Sequence, residues 1–134
     1  MVGNQGMSGR SVAIGVGCRK GCSADAIESL VRHALGRTPT AIPLALFTLI
    51  DKCNEAGLVE AAKRLGFDLV YLSRETLRDR ENGIQTRSPL AQSRFGIPSV
   101  AEAAALAGAG PASILIVPRV AKGGATCAIA GSLQ

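Results

Sequence analysis

The chain has 134 residues, 47% of them apolar, and a formal charge of +5 from 15 Lys and Arg against 10 Asp and Glu. That length and apolar content fit one domain with a sizeable core and exclude both a disordered chain and a mini-protein stapled by metal or disulfides. With no Trp, one Tyr and three Phe, a nucleic-acid binder that stacks bases on aromatic platforms is also excluded, while the modest basic excess points to an anionic partner.

Residues 1–10 (MVGNQGMSGR) are polar, glycine-rich and aperiodic, and read as a frayed terminus in which Met7 offers a second start. The single domain is expected over 11–134. Ser11–Val16 is a short apolar run ending near glycine, the pattern of a buried strand. Ser23 is positioned to cap a helix in which Ala26, Ile27, Leu30, Val31, Ala34 and Leu35 recur at helical spacing until Gly36. Leu44–Ile50 is a second buried run. A helix over 54–65 follows, with Leu58, Val59, Ala62 and Leu65 on one face and Gly66 closing it. Phe67–Leu72 reads as a third strand and Ser73–Glu81 as a short charged helix. Asn82–Pro98 shows no clean period, and so long a loop in a compact domain is usually functional or mobile. Ser99–Ala109 is an Ala-rich helix, apolar almost all round and hence buried. Ser113–Val117 is a fourth strand, Pro118–Gly124 a turn, and Thr126–Ala130 a fifth strand.

Strand and helix alternate three times at the start, which predicts parallel strands with right-handed crossovers. The last two strands, joined through Gly123 and Gly124, should form an antiparallel hairpin. The expected fold is a three-layer α/β domain: a mixed five-stranded sheet with helices on both faces.

In open α/β sheets, ligands bind beyond the carboxyl ends of the strands. Three such ends are readable: Gly15–Gly21, Ile50–Glu55 and Leu72–Glu75. Together they would gather Arg19, Lys20, Lys52 and Arg74 beside helix N-termini, whose free N–H groups favour anions. Gly15, Gly17 and Gly21 resemble a dinucleotide fingerprint, but the last spacing is one residue too long. A tight strand-to-helix turn is the plainer reading.

Other features also admit two readings. Ser99 and Glu102 fit a capping box, and Glu102 or Glu55 would also serve as a general base. Lys52 and Glu55 are three apart and would pair on a helical surface. His33 borders an apolar stripe, as a half-buried surface histidine does. It is the chain's only histidine, so no Ser-His-Asp arrangement can be assembled. Cys18, Cys22 and Cys53 would have to converge to hold zinc, and buried thiols acting as small apolar groups are the simpler reading for Cys53 and Cys127. The four cysteines include no C-x-x-C pair. No basic segment followed by an apolar one marks a secretory leader, and no apolar run approaches the roughly 18 residues of a membrane span. A cytoplasmic protein with reduced thiols is therefore expected, with no membrane or nucleic-acid partner.

Four segments in order carry a family resemblance. They are Val12–Gly21 (VAIGVGCRKG) with Ser23–Ile27 (SADAI), Asp51–Leu58 (DKCNEAGL), Phe95–Leu106 (FGIPSVAEAAAL), and the closing Leu115–Arg119 (LIVPR) with Ala125–Ala130 (ATCAIA). From about Ser11 onward the chain resembles the CobE/CbiG C-terminal domain family of cobalamin (vitamin B12) biosynthesis. The resemblance implies a role in building the corrin ring, with a precorrin or a hydrogenobyrinic-acid-like corrinoid as ligand and precorrin methyltransferases as partners. It implies no metal or cofactor. A homodimer is compatible with it.

In longer relatives this domain forms part of a cobalt-precorrin-5A hydrolase, whose N-terminal portion has no counterpart here. The chain therefore resembles the free-standing type, in which enzyme activity is uncertain. Arg119 stands where relatives often carry Lys, which keeps the charge but not a proton-donor or Schiff-base role. The expected substrate-binding residues are Gly15, Gly17, Cys18, Arg19, Lys20, Lys52, Ser99, Arg119 and Thr126. If a reaction occurs, Glu102 or Glu55 would be the base and Lys52 the oxyanion stabiliser. The loop around Phe95 would cover the ligand as a lid. The functional readings are a precorrin carrier, a hydrolase-related enzyme and, from a different class, a nucleotide-binding regulatory module.

Overall fold

The computed structural model describes residues 10–132. Five strands, β1 (Ser11–Cys18), β2 (Ile42–Leu49), β3 (Leu69–Leu72), β4 (Ser113–Lys122) and β5 (Ala125–Ser132), form one sheet in the order β3-β2-β1-β5-β4. β1 pairs in parallel with β2, and β2 with β3, whereas β5 lies antiparallel to both β1 and β4. The expected mixed α/β sheet is therefore present, parallel at one side and closed by a hairpin at the other.

Helices α1 (Ala24–Gly36) and α2 (Ala56–Leu65) cover one face. Ile27, Leu30 and Val31 of α1 and Leu58, Ala61 and Ala62 of α2 share a core with Val12, Ile14, Val16, Leu46, Cys127 and Ile129. The other face carries α5 (Val100–Ala109), with the short helices α3 (Arg74–Arg78) and α4 (Pro89–Phe95) nearby in sequence. Ala101, Ala105 and Leu106 pack there on Leu115, Ala128 and Ala130. Cover on both faces explains why Val12–Cys18 is buried without alternation. No helix among the described residues is long and apolar enough to cross a membrane.

Several boundaries depart from expectation. β1 continues to Cys18, so Gly15 and Gly17 lie inside a strand and not in the following loop. A Cβ on Gly15 would stand 1.9 Å from the Ala101 carbonyl oxygen and 2.5 Å from Ala105 N. Glycine is needed there because α5 rests on the strand's backbone, which removes the basis for a phosphate-cradling fingerprint. β2 begins at Ile42 and ends at Leu49, and Ile50–Lys52 forms a 3-10 turn. α2 starts at Ala56, with Ala61 buried and Val59 turned to solvent. α3 stops at Arg78. His33 is exposed on α1.

The segment 82–98 is not a structureless loop. Ser88 caps α4 by accepting from Ala91 N–H, Pro89 occupies the first turn, and Gly96 ends the helix at φ 69°. The Ser88 N–H donates to the Pro98 carbonyl at 2.8 Å, which closes residues 88–98 into a flap.

The fourth strand also runs further than expected, through Pro118 to Lys122. β4 is an edge strand, where proline's missing donor is tolerated, and its pairing slips between Leu115 and Val117 and again between Val117 and Val120. The turn itself is only Gly123 and Gly124, at φ 63° and 86°, the left-handed pair that suits a tight hairpin. The reading of the first residues as a frayed terminus lies outside the described residues, except at Arg10.

Two glycine substitutions should shift stability in opposite directions. Gly15→Ala drives a methyl into helix backbone and should cost about 3 kcal/mol or more, read as a lower urea midpoint. Gly36→Ala, in a helix with nothing near the added carbon, should add about 0.5 kcal/mol.

Candidate functional site

β4 runs in the same direction as β1, because β5 opposes both. The carboxyl ends of β1, β2, β3 and β4 therefore share one edge, and a hollow of about 420 Å³ opens there. Gly17, Cys18 and Thr126 line it from the sheet, and Ser99 and Val100 from the start of α5. Ser88, Leu90, Ala91, Arg94 and Phe95 line it from the flap, and Arg119 and the hairpin tip 121–125 from the opposite side. Gly17 leaves room above Thr126, since a Cβ there would sit 2.6 Å from the threonine hydroxyl.

Every charged side chain lining the hollow is cationic: Arg19, Lys52, Arg94, Arg119 and Lys122. None of the five makes an ion pair among the described residues. Elsewhere four arginines are matched to carboxylates: Arg32 with Glu28, Arg64 with Asp25 and Glu60, Arg74 with Asp51, and Arg87 with Glu81. The hollow is thus a local excess of positive charge and not merely a sample of a basic chain.

Phe95 anchors the flap. The Lys52 ammonium stands 5.1 Å from its ring centroid and the Arg74 guanidinium 5.7 Å. Arg78 donates to the Phe95 carbonyl at 3.4 Å. Arg74 is itself held by two hydrogen bonds to Asp51, at 2.6 and 3.3 Å, and those bonds hold the Asp51 carboxyl below its ordinary range.

Of the expected site residues, the structure brings Gly17, Cys18, Arg19, Lys52, Ser99, Arg119 and Thr126 around this hollow. Gly15, Lys20, Glu55 and Glu102 do not line it. Gly15 lies beneath α5, and Lys20 is exposed on the loop after β1. Glu55 does not pair with Lys52; it accepts from the Gly21 N–H at 2.8 Å and ties two loops together. Glu102 is fully buried. Its carboxylate accepts from the N–H groups of Gln85 at 2.8 Å, Thr86 at 2.9 Å and Arg119 at 2.8 Å. The expected capping box is half formed: Ser99 Oγ accepts from Glu102 N–H at 3.3 Å, but the carboxylate reaches other segments.

Sequence reasoning missed Arg94, Lys122 and the apolar Leu90. Ser88-Pro89 is a helix-start signature, and reading it would have placed Arg94 on a helix. Lys122 is obscured because Pro118–Gly124 reads as a turn, whereas β4 runs on to Lys122. Cys18, Cys22 and Cys53 form no cluster suited to a metal ion among the described residues.

Residues 12–130 match the family model described as cobalamin synthesis G C-terminus. The chain belongs to that family. It is therefore a protein of cobalamin biosynthesis. A protein CobE from a Sinorhizobium species is 29% identical over 126 residues, covering 92% of this chain and 82% of that protein. The crystal structure of CobE, a protein from the cobalamin biosynthetic pathway, superposes with a TM-score of 0.83 at 32% identity, covering 90% of this chain and 89% of that one. A cobalamin biosynthesis protein chiG from Agrobacterium tumefaciens gives 0.71 at 37% identity, covering 92% and 99%. The cobalt-precorrin-5A hydrolase of Priestia megaterium is 35% identical over 80 residues, which is 58% of this chain but only 20% of the hydrolase.

Burial pushes the Cys18 thiol from 9.0 up to about 11 and the Cys127 thiol to about 12. A raised folded pKa means stability is fully present below about pH 9 and is lost as pH rises toward these values. Alkaline titration should therefore lower the melting temperature between pH 9 and 11. Replacing Cys127 with Ala should flatten that slope. In the folded protein at pH 7.5, exposed Cys53 should be alkylated first, read by mass spectrometry.

Proposed function

We propose that this protein binds a polycarboxylate precorrin or corrinoid intermediate in the hollow at the carboxyl edge of its sheet and carries it to the enzymes that next modify the ring. The observation that carries this reading is the set of five cations without a single carboxylate among the described residues that line the hollow. A corrin precursor is a broad macrocycle fringed with acetate and propionate groups. Arg19, Arg94 and Arg119 offer planar forks for bidentate carboxylate contacts, and Lys52 and Lys122 offer point charges. Charge-assisted hydrogen bonds contribute about 1.5–3 kcal/mol each, so three or four would hold a polyacid firmly.

The apolar ring also finds a surface. Leu90 on the flap is 62% exposed, and Phe95 and Val100 lie on the same hollow. Apolar side chains beside unpaired cations are the pattern a charged-rim, apolar-centre molecule would cover. Precorrin methyltransferases are the class of enzyme such a carrier would serve. The hydrolase reading has less support, because the match covers only a fifth of that enzyme and neither Glu55 nor Glu102 lines the hollow. The nucleotide reading loses its fingerprint to the packing of Gly15 against α5.

Calorimetric titration with hydrogenobyrinic acid tests this. Binding at micromolar Kd or tighter is expected, weakening as salt rises, with the fully esterified ligand failing to bind. Arg94→Ala and Arg119→Ala should each weaken binding about tenfold, while Lys20→Ala, outside the hollow, leaves it unchanged. No heat at micromolar ligand would overturn the reading. Recovery of the ligand with its mass unchanged supports a carrier, and a lost fragment would instead establish an enzyme.

A further inference from the structure

Glu102 stands out because it is a charged residue in a helix that is otherwise apolar, and it is completely buried. Its three acceptor contacts go to two segments that flank the hollow. Gln85 and Thr86 lead directly into the flap, whose cap is Ser88 and whose helix carries Arg94. Arg119 lies on the opposite side, on β4. The helix turn bearing Glu102 is itself capped by Ser99, a residue of the hollow.

The contact with Arg119 has a backbone cause. The ladder between β4 and β5 runs from the Val117–Ile129 pair to the Val120–Cys127 pair and omits Pro118 and Arg119. The bulge releases the Arg119 N–H from the sheet, and Glu102 Oε2 accepts it. A released N–H leaves the backbone free to settle in more than one way, and with it the direction of the Arg119 side chain.

From this geometry we infer that Glu102 is a positioning residue. One buried carboxylate holds the flap segment and the β4 bulge at a fixed separation, so that Arg94 and Arg119 face the same ligand. The inference rests on the binding reading above and deepens it by assigning the residue that orients the two arginine contacts.

Glutamine at this position has one oxygen. It is best used toward the paired N–H groups of Gln85 and Thr86, which turns the amide NH₂ group against the Arg119 N–H. Glu102→Gln should therefore disturb the Arg119 side selectively. A double-mutant cycle with hydrogenobyrinic acid reads this below the melting temperature of every variant. Glu102→Gln is expected to weaken binding about tenfold alone but less than about twofold in an Arg119→Ala background. In an Arg19→Ala background the losses should multiply. Amide hydrogen exchange should show faster exchange at Arg119, with Gln85 and Thr86 still protected. If Glu102→Gln does not fold, Glu102→Asp, one methylene shorter and unable to reach both sides, goes through the same cycle. A lower melting temperature with equal loss in both the wild-type and Arg119→Ala backgrounds would show a merely structural role and overturn the inference. Failure of the wild-type protein to bind the probe would instead overturn the binding reading beneath it.

Discussion

Uncompensated positive charge is the constraint on which the rest of this structure turns. Five cations gathered at one sheet edge repel one another, and nothing among the described residues neutralises them. At the surface each repulsion is small and screened by salt, so the fold tolerates the cluster. The tolerance ends once the site is covered: a ligand that excludes water strengthens every charge interaction beneath it, and only an anion makes that favourable. The carboxylates that could have relieved the repulsion are used elsewhere. Asp51 holds Arg74, Glu55 holds the Gly21 backbone, and Glu102 holds three N–H groups.

Keeping such a cluster in register requires a stiff frame. α5 lies directly on β1, closer than any side chain at Gly15 would permit, and fixes Ser99 and Val100 at the hollow. A second close approach, at Gly108 against the Phe47 ring, holds the far end of the same helix over β2. Arg80 adds a polar clamp at that end, donating to the carbonyls of Leu106, Gly110 and Ser113. The helix is therefore secured along its length, and the flap and the bulged end of β4, which carry Arg94 and Arg119, are held to it through Glu102.

How much of this the sequence discloses follows from which interactions are local. Strands and helices that bury a continuous run or a periodic stripe, such as Val12–Val16 or Ile27–Ala34, are legible because burial sets the pattern. The parallel start and the Gly123-Gly124 hairpin follow from connection lengths and turn chemistry. The sheet edge collecting Arg19 and Lys52 is legible for the same reason, whereas Arg119 is reached only through the family resemblance. The extension of β4 past Pro118 is not, since it depends on that strand lying at an edge, a tertiary fact. Nor is the role of Gly15: a glycine serving helix packing and one serving a phosphate look alike until α5 is placed. Glu102 shows the same limit. Its spacing from Ser99 advertises a local cap, while its partners Gln85, Thr86 and Arg119 lie 16 or 17 residues away.

In the proposed complex, Lys52 would link the frame to the ligand. Its ammonium already stands over an aromatic ring, that of Phe95. A cation over an aromatic face at an exposed site is worth about 0.5–1 kcal/mol, and a charge-assisted bond to a carboxylate about 1.5–3 kcal/mol. In the proposed complex, an arriving carboxylate would therefore win Lys52 from the ring. The flap does not lose its anchor when this happens, because Arg74 faces the same ring and is tethered by Asp51 rather than by anything in the hollow. Two cations on one phenyl ring would thus divide the work under the binding proposed above: Arg74, tethered by Asp51, keeps its hold on the ring, and Lys52 is left to turn toward the ligand.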